Sequence, residues 1–277
     1  MPTPLSIASW NVEHFEGKPE RVAKVVELVR GLGPKKKGPD VFALYEVEGK
    51  DVFDELVANM PEYQFHITEG PEVQEILIGV RGGVTAFYTQ RTEYKSGLAA
   101  LRPGALLTVR TGGADYPILF LHTKALGTPF GFGVRDDQLR RALKFKRTLQ
   151  KAAGAGTPVN FLFLGDLNTA GMEYPFKRDI DAELEIRQIE RAAKRAGMRL
   201  LSKSSDASWW NGPGSSYPPG NFDHVVAASH LVFRKQTPAG AEVRVIGWPE
   251  IADPEEQQDW IATYSDHGVM YLELLTG

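Results

Sequence analysis

Two short polar segments stand against apolar runs in positions that suit chemistry. Ser265-Asp266-His267 directly precedes Val269 to Leu275, and Gly165-Asp166-Leu167-Asn168 closes the run that starts at Val159. A carboxylate and an imidazole where one strand begins, with a carboxylate and a carboxamide where another ends, can build one polar site above a sheet. Such a donor set suits a divalent cation and the attack of water on a phosphate ester. Other strand ends repeat the pattern. Asn11 closes the first strand, Glu46 the second and His122 a middle one, while Asp223 and His224 lie on another. Alone, an Asn or Asp after a strand is usually a turn former or helix cap, and a His is usually a satisfied core residue. Together they would be a costly set of buried charges unless they neutralise a cation and bind a phosphate.

The elements that must position these residues follow from apolar spacing. Strand patterns cover Leu5 to Val12 and Asp40 to Val47, with helices over Pro19 to Leu32 and Asp51 to Met60. Short strands separated by turn residues follow over Tyr63 to Thr68, Glu75 to Val80, Val84 to Thr89, Ala105 to Arg110 and Tyr116 to His122. A helix is predicted over Arg135 to Ala152 after the glycine-rich Gly127 to Gly133 loop. It is followed by strand Val159 to Gly165, a charged helix from Asp179 to Gly197, and strands Phe222 to Ala227 and Val269 to Leu275. Mixed sheets with helices outside predict an α/β sandwich. No repeat or linker divides residues 1–277, so a single domain is expected.

Composition bounds the function. The chain has 277 residues, 42% of them apolar, and a formal charge of −3, so no whole-molecule basic field attracts polyanions. With no cysteine, the available metal ligands are imidazole, carboxylate and amide, which points to magnesium, manganese or calcium. No apolar stretch approaches the roughly 20 residues of a membrane span. A cytoplasmic monomer without membrane insertion is expected. Lys35-Lys36-Lys37 reads as a surface loop, and Arg140, Arg141, Lys144, Lys146, Arg147 and Lys151 as a solvated helix face that could flank a polyanion.

The order Ser9-Trp10-Asn11, Leu44-Tyr45-Glu46, Leu121-His122-Thr123-Lys124, Gly165-Asp166-Leu167-Asn168, Phe222-Asp223-His224 and Ser265-Asp266-His267 resembles the endonuclease/exonuclease/phosphatase superfamily over nearly the whole chain. That superfamily holds pancreatic-type deoxyribonucleases, abasic-site endonucleases, neutral sphingomyelinases and inositol polyphosphate phosphatases. The resemblance implies a four-layered α/β sandwich, two packed mixed sheets flanked by helices, and metal-dependent phosphate ester cleavage. It assigns the metal to Glu46, with Asn11 and Asp266 helping to hold the ion or its waters. His267 paired with Asp223 resembles the catalytic dyad, taking a proton from water or stabilising the phosphorane. Asp166 would orient water or protonate the leaving oxygen, and Asn168 would donate to nonbridging oxygens. Histidine at position 122 resembles the deoxyribonucleases and sphingomyelinases more than the abasic-site enzymes, which tend to carry tyrosine. By the same resemblance Glu75 is expected to pair with His122 as a general acid; alternatively it is an ordinary strand residue.

Asn11 is also a candidate substrate contact, and Lys124 and Arg135 are candidate phosphate contacts, although Asp136 and Asp137 could instead pair with Arg135. Trp209 and Trp210, in the irregular stretch from Asp206 to Gly220, could stack a base, sugar or lipid headgroup, or anchor the loop to the core. Tyr174 and Phe176 could line the same cleft. The function expected is a magnesium- or manganese-dependent phosphodiesterase, with a nuclease acting on DNA favoured. A phospholipid (sphingomyelinase-like) or sugar-phosphate enzyme is the closest alternative, and a catalytically silent binding module the alternative of another class.

Overall fold

The computed structural model describes residues 3–33, 36–70, 74–176 and 178–276. Lys35 of the predicted lysine loop lies outside these residues. The chain runs β1 (Thr3–Glu16), α1 (Pro19–Gly31), β2 (Val41–Glu48), α2 (Lys50–Asn59), β3 (Tyr63–Ile67), β4 (Glu75–Arg81), β5 (Thr85–Arg91), β6 (Gly104–Thr111) and β7 (Ala114–His122). It continues through α3 (Pro129–Ala153), β8 (Leu162–Asp166), α4 (Ala182–Arg195), β9 (Met198–Leu200), β10 (Asp223–Ala228), β11 (Val243–Ile246), α5 (Pro254–Thr263) and β12 (Val269–Thr276).

Two six-stranded mixed sheets, β11-β12-β1-β2-β4-β3 and β5-β6-β7-β8-β10-β9, pack face to face. Their inner faces, including Ile7, Ala43, Ile78, Leu107, Ile118, Leu164 and Val225, form one core. The valines of α1, at positions 22, 25, 26 and 29, share a second core with Phe42 and Leu44 on the outer face of the first sheet. Leu139 and Ala142 of α3 and Ile189 and Ala193 of α4 cover Phe161 and Phe163 on the second. This is the four-layered α/β sandwich expected. Strands with apolar residues on both faces read as near-continuous runs, which is why β2, β8 and β12 were visible in the sequence. No helix among the described residues is long and apolar enough to cross a membrane.

Three local differences matter for the site. The strand expected to stop at Val12 runs on to Glu16 through a bulge, with the β1–β2 register shifting between Asn11 and Phe15. Helix α3 starts six residues earlier than predicted, because Thr128 caps it by accepting from the Gly131 amide at 3.1 Å and Pro129 opens it. Gly131 is required there: a Cβ would lie 2.4 Å from the Leu126 carbonyl oxygen. The short strands β9 and β11 and helix α5 were not anticipated: β9 spans three residues, the Val243-Arg244-Val245 alternation of β11 is brief, and α5 buries only Ile261.

Candidate active site

One rim of the sandwich gathers the polar residues. β1 and β2 run parallel in one sheet, β7 and β8 parallel in the other, so their carboxyl ends share that rim. β10 is antiparallel to β8 and sets Asp223 opposite Asp166. Asn11 and Glu46 are placed by bulges rather than by strand ends. The β2–β4 register shifts between Leu44 and Val47, and Glu46 has φ 60°, a left-handed backbone that re-aims its side chain. Gly165 has φ 141°, and a Cβ there would meet the Leu121 carbonyl oxygen at 2.0 Å, so only glycine lets β8 lie against β7 just before Asp166. Tyr45 fixes the two sheets together below Glu46, with its hydroxyl 2.9 Å from Ser9 Oγ and donating to the Leu164 carbonyl at 3.4 Å.

His267 is held from several sides. Its Nδ1 lies 2.8 Å from Asp223 Oδ2, and its Nε2 faces Asp166 Oδ2 at 3.7 Å. Ser265 Oγ donates to the Asn11 carbonyl at 2.7 Å and accepts from the His267 amide at 3.0 Å, while Trp10 Nε1 donates to the His267 carbonyl. Burial opposes protonation of the imidazole, but Asp223 and Asp166 outweigh it and hold His267 well above its ordinary pKa. Burial, reinforced by Asp223, pushes the Asp166 carboxyl up to about 7. Burial likewise raises Asp266, with Glu46 and Asp223 adding to it.

Asn11 joins these groups. Its Nδ2 lies 3.0 Å from both Glu46 Oε1 and Asp166 Oδ2, and 3.4 Å from His267 Nε2, while its Oδ1 accepts from the Glu13 amide. Asn11 thus presents its NH₂ to the acids, while its oxygen, with one bond accepted, keeps a second lone pair. His122 is buried with Nε2 3.4 Å from Asp166 Oδ2 and 3.6 Å from Glu46 Oε1. Burial, with Arg102, His267 and Lys124 nearby, keeps it well below its ordinary pKa and neutral. Asn168, at φ 49°, donates its amide to Asp166 Oδ1 at 2.9 Å and its Nδ2 to the Thr123 carbonyl.

Other expectations fail on geometry. Glu75 does not reach His122: its carboxylate bonds Thr68 Oγ1, and His122 Nδ1 has no hydrogen-bond partner. Arg135 is fully buried and cannot meet a substrate. It donates Nε and Nη2 to Glu185 at 2.8 and 3.0 Å and its remaining N–H groups to the carbonyls of Lys124, Leu126 and Gly171. The predicted partners Asp136 and Asp137 pair instead with Arg140 and Arg141. The tandem tryptophans are anchored. Trp209 donates to Asp266 Oδ2 at 2.6 Å and stacks on Phe222 at 4.8 Å, and Trp210 packs on Trp248. Lys124 remains half-exposed beside His122.

Three residues escaped the sequence reading. Glu13, at φ 47° in the β1 bulge, accepts from the Asp266 amide, and burial with Asp266 beside it raises its pKa. An acid two residues beyond Asn11 was the available signal. The charge of Arg102 acts on both His122 and Glu75, and its Nε donates to the Gln74 carbonyl at 2.7 Å. Lys203 is brought down to about 8 by burial and donates to the Asp223 carbonyl at 2.8 Å and to Asn221 Oδ1. Nothing in Ser202-Lys203-Ser204 marked it.

Asp166, Asp223 and His267 bring ligand atoms within 4.8 Å of one another. However, His267 Nδ1 is already committed to Asp223, so that trio is a hydrogen-bonded dyad with a third carboxylate. Glu46 and Asp266 add further hard carboxylate oxygens to the rim, and the Glu46 charge contributes to the rise of Asp266. A cavity of about 910 Å³ lies elsewhere, between α3 and α4, lined by Arg140, Lys144, Arg147 and Arg195 and by none of these carboxylates.

The same fold recurs in solved structures. Truncated TDP2 of Caenorhabditis elegans matches with a TM-score of 0.64 at 17% identity, covering 99% of this chain and 98% of that one. D. rerio TDP2 complexed with single strand DNA product matches with a TM-score of 0.67 at 16% identity, covering 99% of this chain and 100% of that one. The human Nocturnin catalytic domain with bound sulfate anion matches with a TM-score of 0.64 at 15% identity, covering 99% and 93%. Among curated proteins none matches the chain. The family model described as Endonuclease/Exonuclease/phosphatase matches residues 8–267, a span that takes in every carboxylate and imidazole gathered on the rim. Together with the sandwich and its acid-rich rim, that match places the chain in the endonuclease/exonuclease/phosphatase family, whose enzymes hydrolyse phosphoesters and generally depend on a divalent metal.

Proposed function

We propose that this protein is a divalent-cation-dependent phosphodiesterase acting on nucleic acid, with DNA favoured. The observation that carries the reading is the His267 ring, fixed by Asp223 at 2.8 Å and facing Asp166 amid uncompensated acids. The resemblance of the fold to a TDP2 holding single strand DNA product supports the substrate class.

Each residue has a role that follows from its surroundings. Glu46 and Asp266 would hold magnesium or manganese, which when bound supplies charge neutralisation at the phosphate and a more acidic water. His267, kept cationic by Asp223 and Asp166, stabilises charge growing on the phosphate. Asp166, with its carboxyl near 7, can hold or pass a proton at neutral pH. Neutral His122 offers Nε2–H as a hydrogen-bond donor to a phosphate oxygen, and Lys124 and Asn168 flank it.

The test is hydrolysis of bis(p-nitrophenyl) phosphate and of a single-stranded DNA oligonucleotide by the purified protein. Turnover is expected with magnesium or manganese, to stop with EDTA, and to be lost in Glu46→Gln with folding intact by circular dichroism. Turnover that survives both EDTA and Glu46→Gln would remove the reading.

A further inference from the structure

The described residues expose eight large hydrophobic side chains, and half of them sit on two neighbouring segments beside the site: Leu126, Phe130, Tyr174 and Phe176, 56, 59, 40 and 80% exposed. Leu126 and Phe130 belong to the loop after Lys124 and the first turn of α3. Tyr174 and Phe176 follow Asn168 by only six and eight residues, and their rings meet edge to face at 5.7 Å.

These segments are fastened rigidly to each other. The buried Arg135 donates to the Lys124 and Leu126 carbonyls of one and to the Gly171 carbonyl of the other, while Glu185 accepts from the Gly171 amide at 2.7 Å. The Glu173 amide donates to the Gly127 carbonyl at 2.7 Å, closing the junction. Leu126 has φ 84°, which bulky residues rarely adopt; its carbonyl turns in to Arg135 while its side chain stays exposed.

Apolar groups this exposed, held on fixed backbone next to a polar site, mark a contact surface. Their chemistry selects the partner. Three of the four are aromatic, and Lys124 and Arg178 beside them form no ion pair among the described residues. Flat rings with flanking cations suit stacked bases and the phosphates that join them. A lipid surface fits less well, because Glu173 directly precedes Tyr174 and Asp179 accepts from the Tyr174 amide at 2.8 Å, which sets carboxylates on the same segment. Resting on the phosphodiesterase reading, we propose that these segments are a stacking platform for unpaired bases next to the scissile phosphate, so that the substrate is a strand locally single-stranded on that side.

The experiment uses the full chain in EDTA with a single-stranded DNA decamer carrying 2-aminopurine, whose fluorescence falls when the base stacks. The wild type is expected to quench the probe, and Tyr174→Ala/Phe176→Ala to bind it about tenfold or more weakly. A decamer of the same length with abasic sites in place of bases should bind both proteins alike. Equal affinity of the two proteins for the base-bearing probe would overturn the platform. So would abasic DNA binding the wild type as tightly as base-bearing DNA, or a variant defect confined to phosphatidylcholine vesicles. Turnover of bis(p-nitrophenyl) phosphate judges the underlying phosphodiesterase reading separately, since the quench requires no hydrolysis.

Discussion

Two buried charged clusters lie at the same end of the sandwich, and they differ in balance. Around Arg135 every N–H of the guanidinium has an acceptor, and Glu185 answers it with both oxygens. Around His267, one cationic ring faces Asp166, Asp223 and Asp266, with Glu46 and Glu13 close by, and His122 Nδ1 is left without a partner. Burial of charge is common to both, so burial alone does not mark chemistry. What separates them is completion: the first cluster has no capacity left, and the second keeps an excess of acid that a cation and a phosphate can use.

The largest effect expected from this contrast is on activity. Asp223→Asn preserves the shape of the dyad but removes the charge that orients His267 and favours its cationic form. By analogy with other carboxylate–imidazole pairs, turnover of bis(p-nitrophenyl) phosphate should fall about 10⁴-fold. The denaturation midpoint should barely move, because the incomplete cluster loses one of several mutually repelling acids. A large loss of stability with little loss of turnover would show that the dyad is a structural pair like the other.

Arg135→Leu should do the reverse. It strands the Glu185 carboxylate, which is buried, and frees three carbonyls that now have a donor. Breaking such a pair costs about 3–5 kcal/mol, read as a drop in urea midpoint. An unchanged midpoint would dissolve the distinction between the clusters. Any loss of oligonucleotide affinity should accompany loosening of the Leu126 and Gly171 segments, since Arg135 itself touches no substrate.

The contrast also explains what the sequence could disclose. Asp166, Asn168, Asp223, Asp266 and His267 were readable because each adjoins a long apolar run, and a polar residue next to such a run has few places to go except a rim. The sandwich was readable for the same reason. Arg135 was not, because the residue that completes it is Glu185, 50 positions away on α4, and no local pattern ties the two. Glu75 faced a similar ambiguity: Thr68, across a tight pairing of β3 with β4, competes for it before His122 can. Glu13 was hidden by the bulge, since a regular β1 would have alternated its side chain differently. Trp209 was half readable, its loop being evident but its bond to Asp266 being a tertiary event.

The smallest and most specific effect lies in the pH dependence of stability, measured without divalent cation. Asp166 ionises near 7 in the folded protein and near its ordinary 3.8 when unfolded, so between these values the folded state binds the extra proton. Its contribution to stability is fully present below about 4 and is lost as pH rises towards 7, with a slope of at most about 1.4 kcal/mol per pH unit. His267, raised well above 6.5 in the folded protein, stays protonated there, and its titration in the unfolded chain is common to wild type and variant and cancels in the comparison. Asp166→Asn removes the titration. From pH 5 to 6.5, in EDTA, the variant should therefore gain stability relative to the wild type, read as diverging urea midpoints. Parallel curves across the window would mean that the Asp166 charge is compensated in the folded protein, and the acid excess that distinguishes the site would be gone.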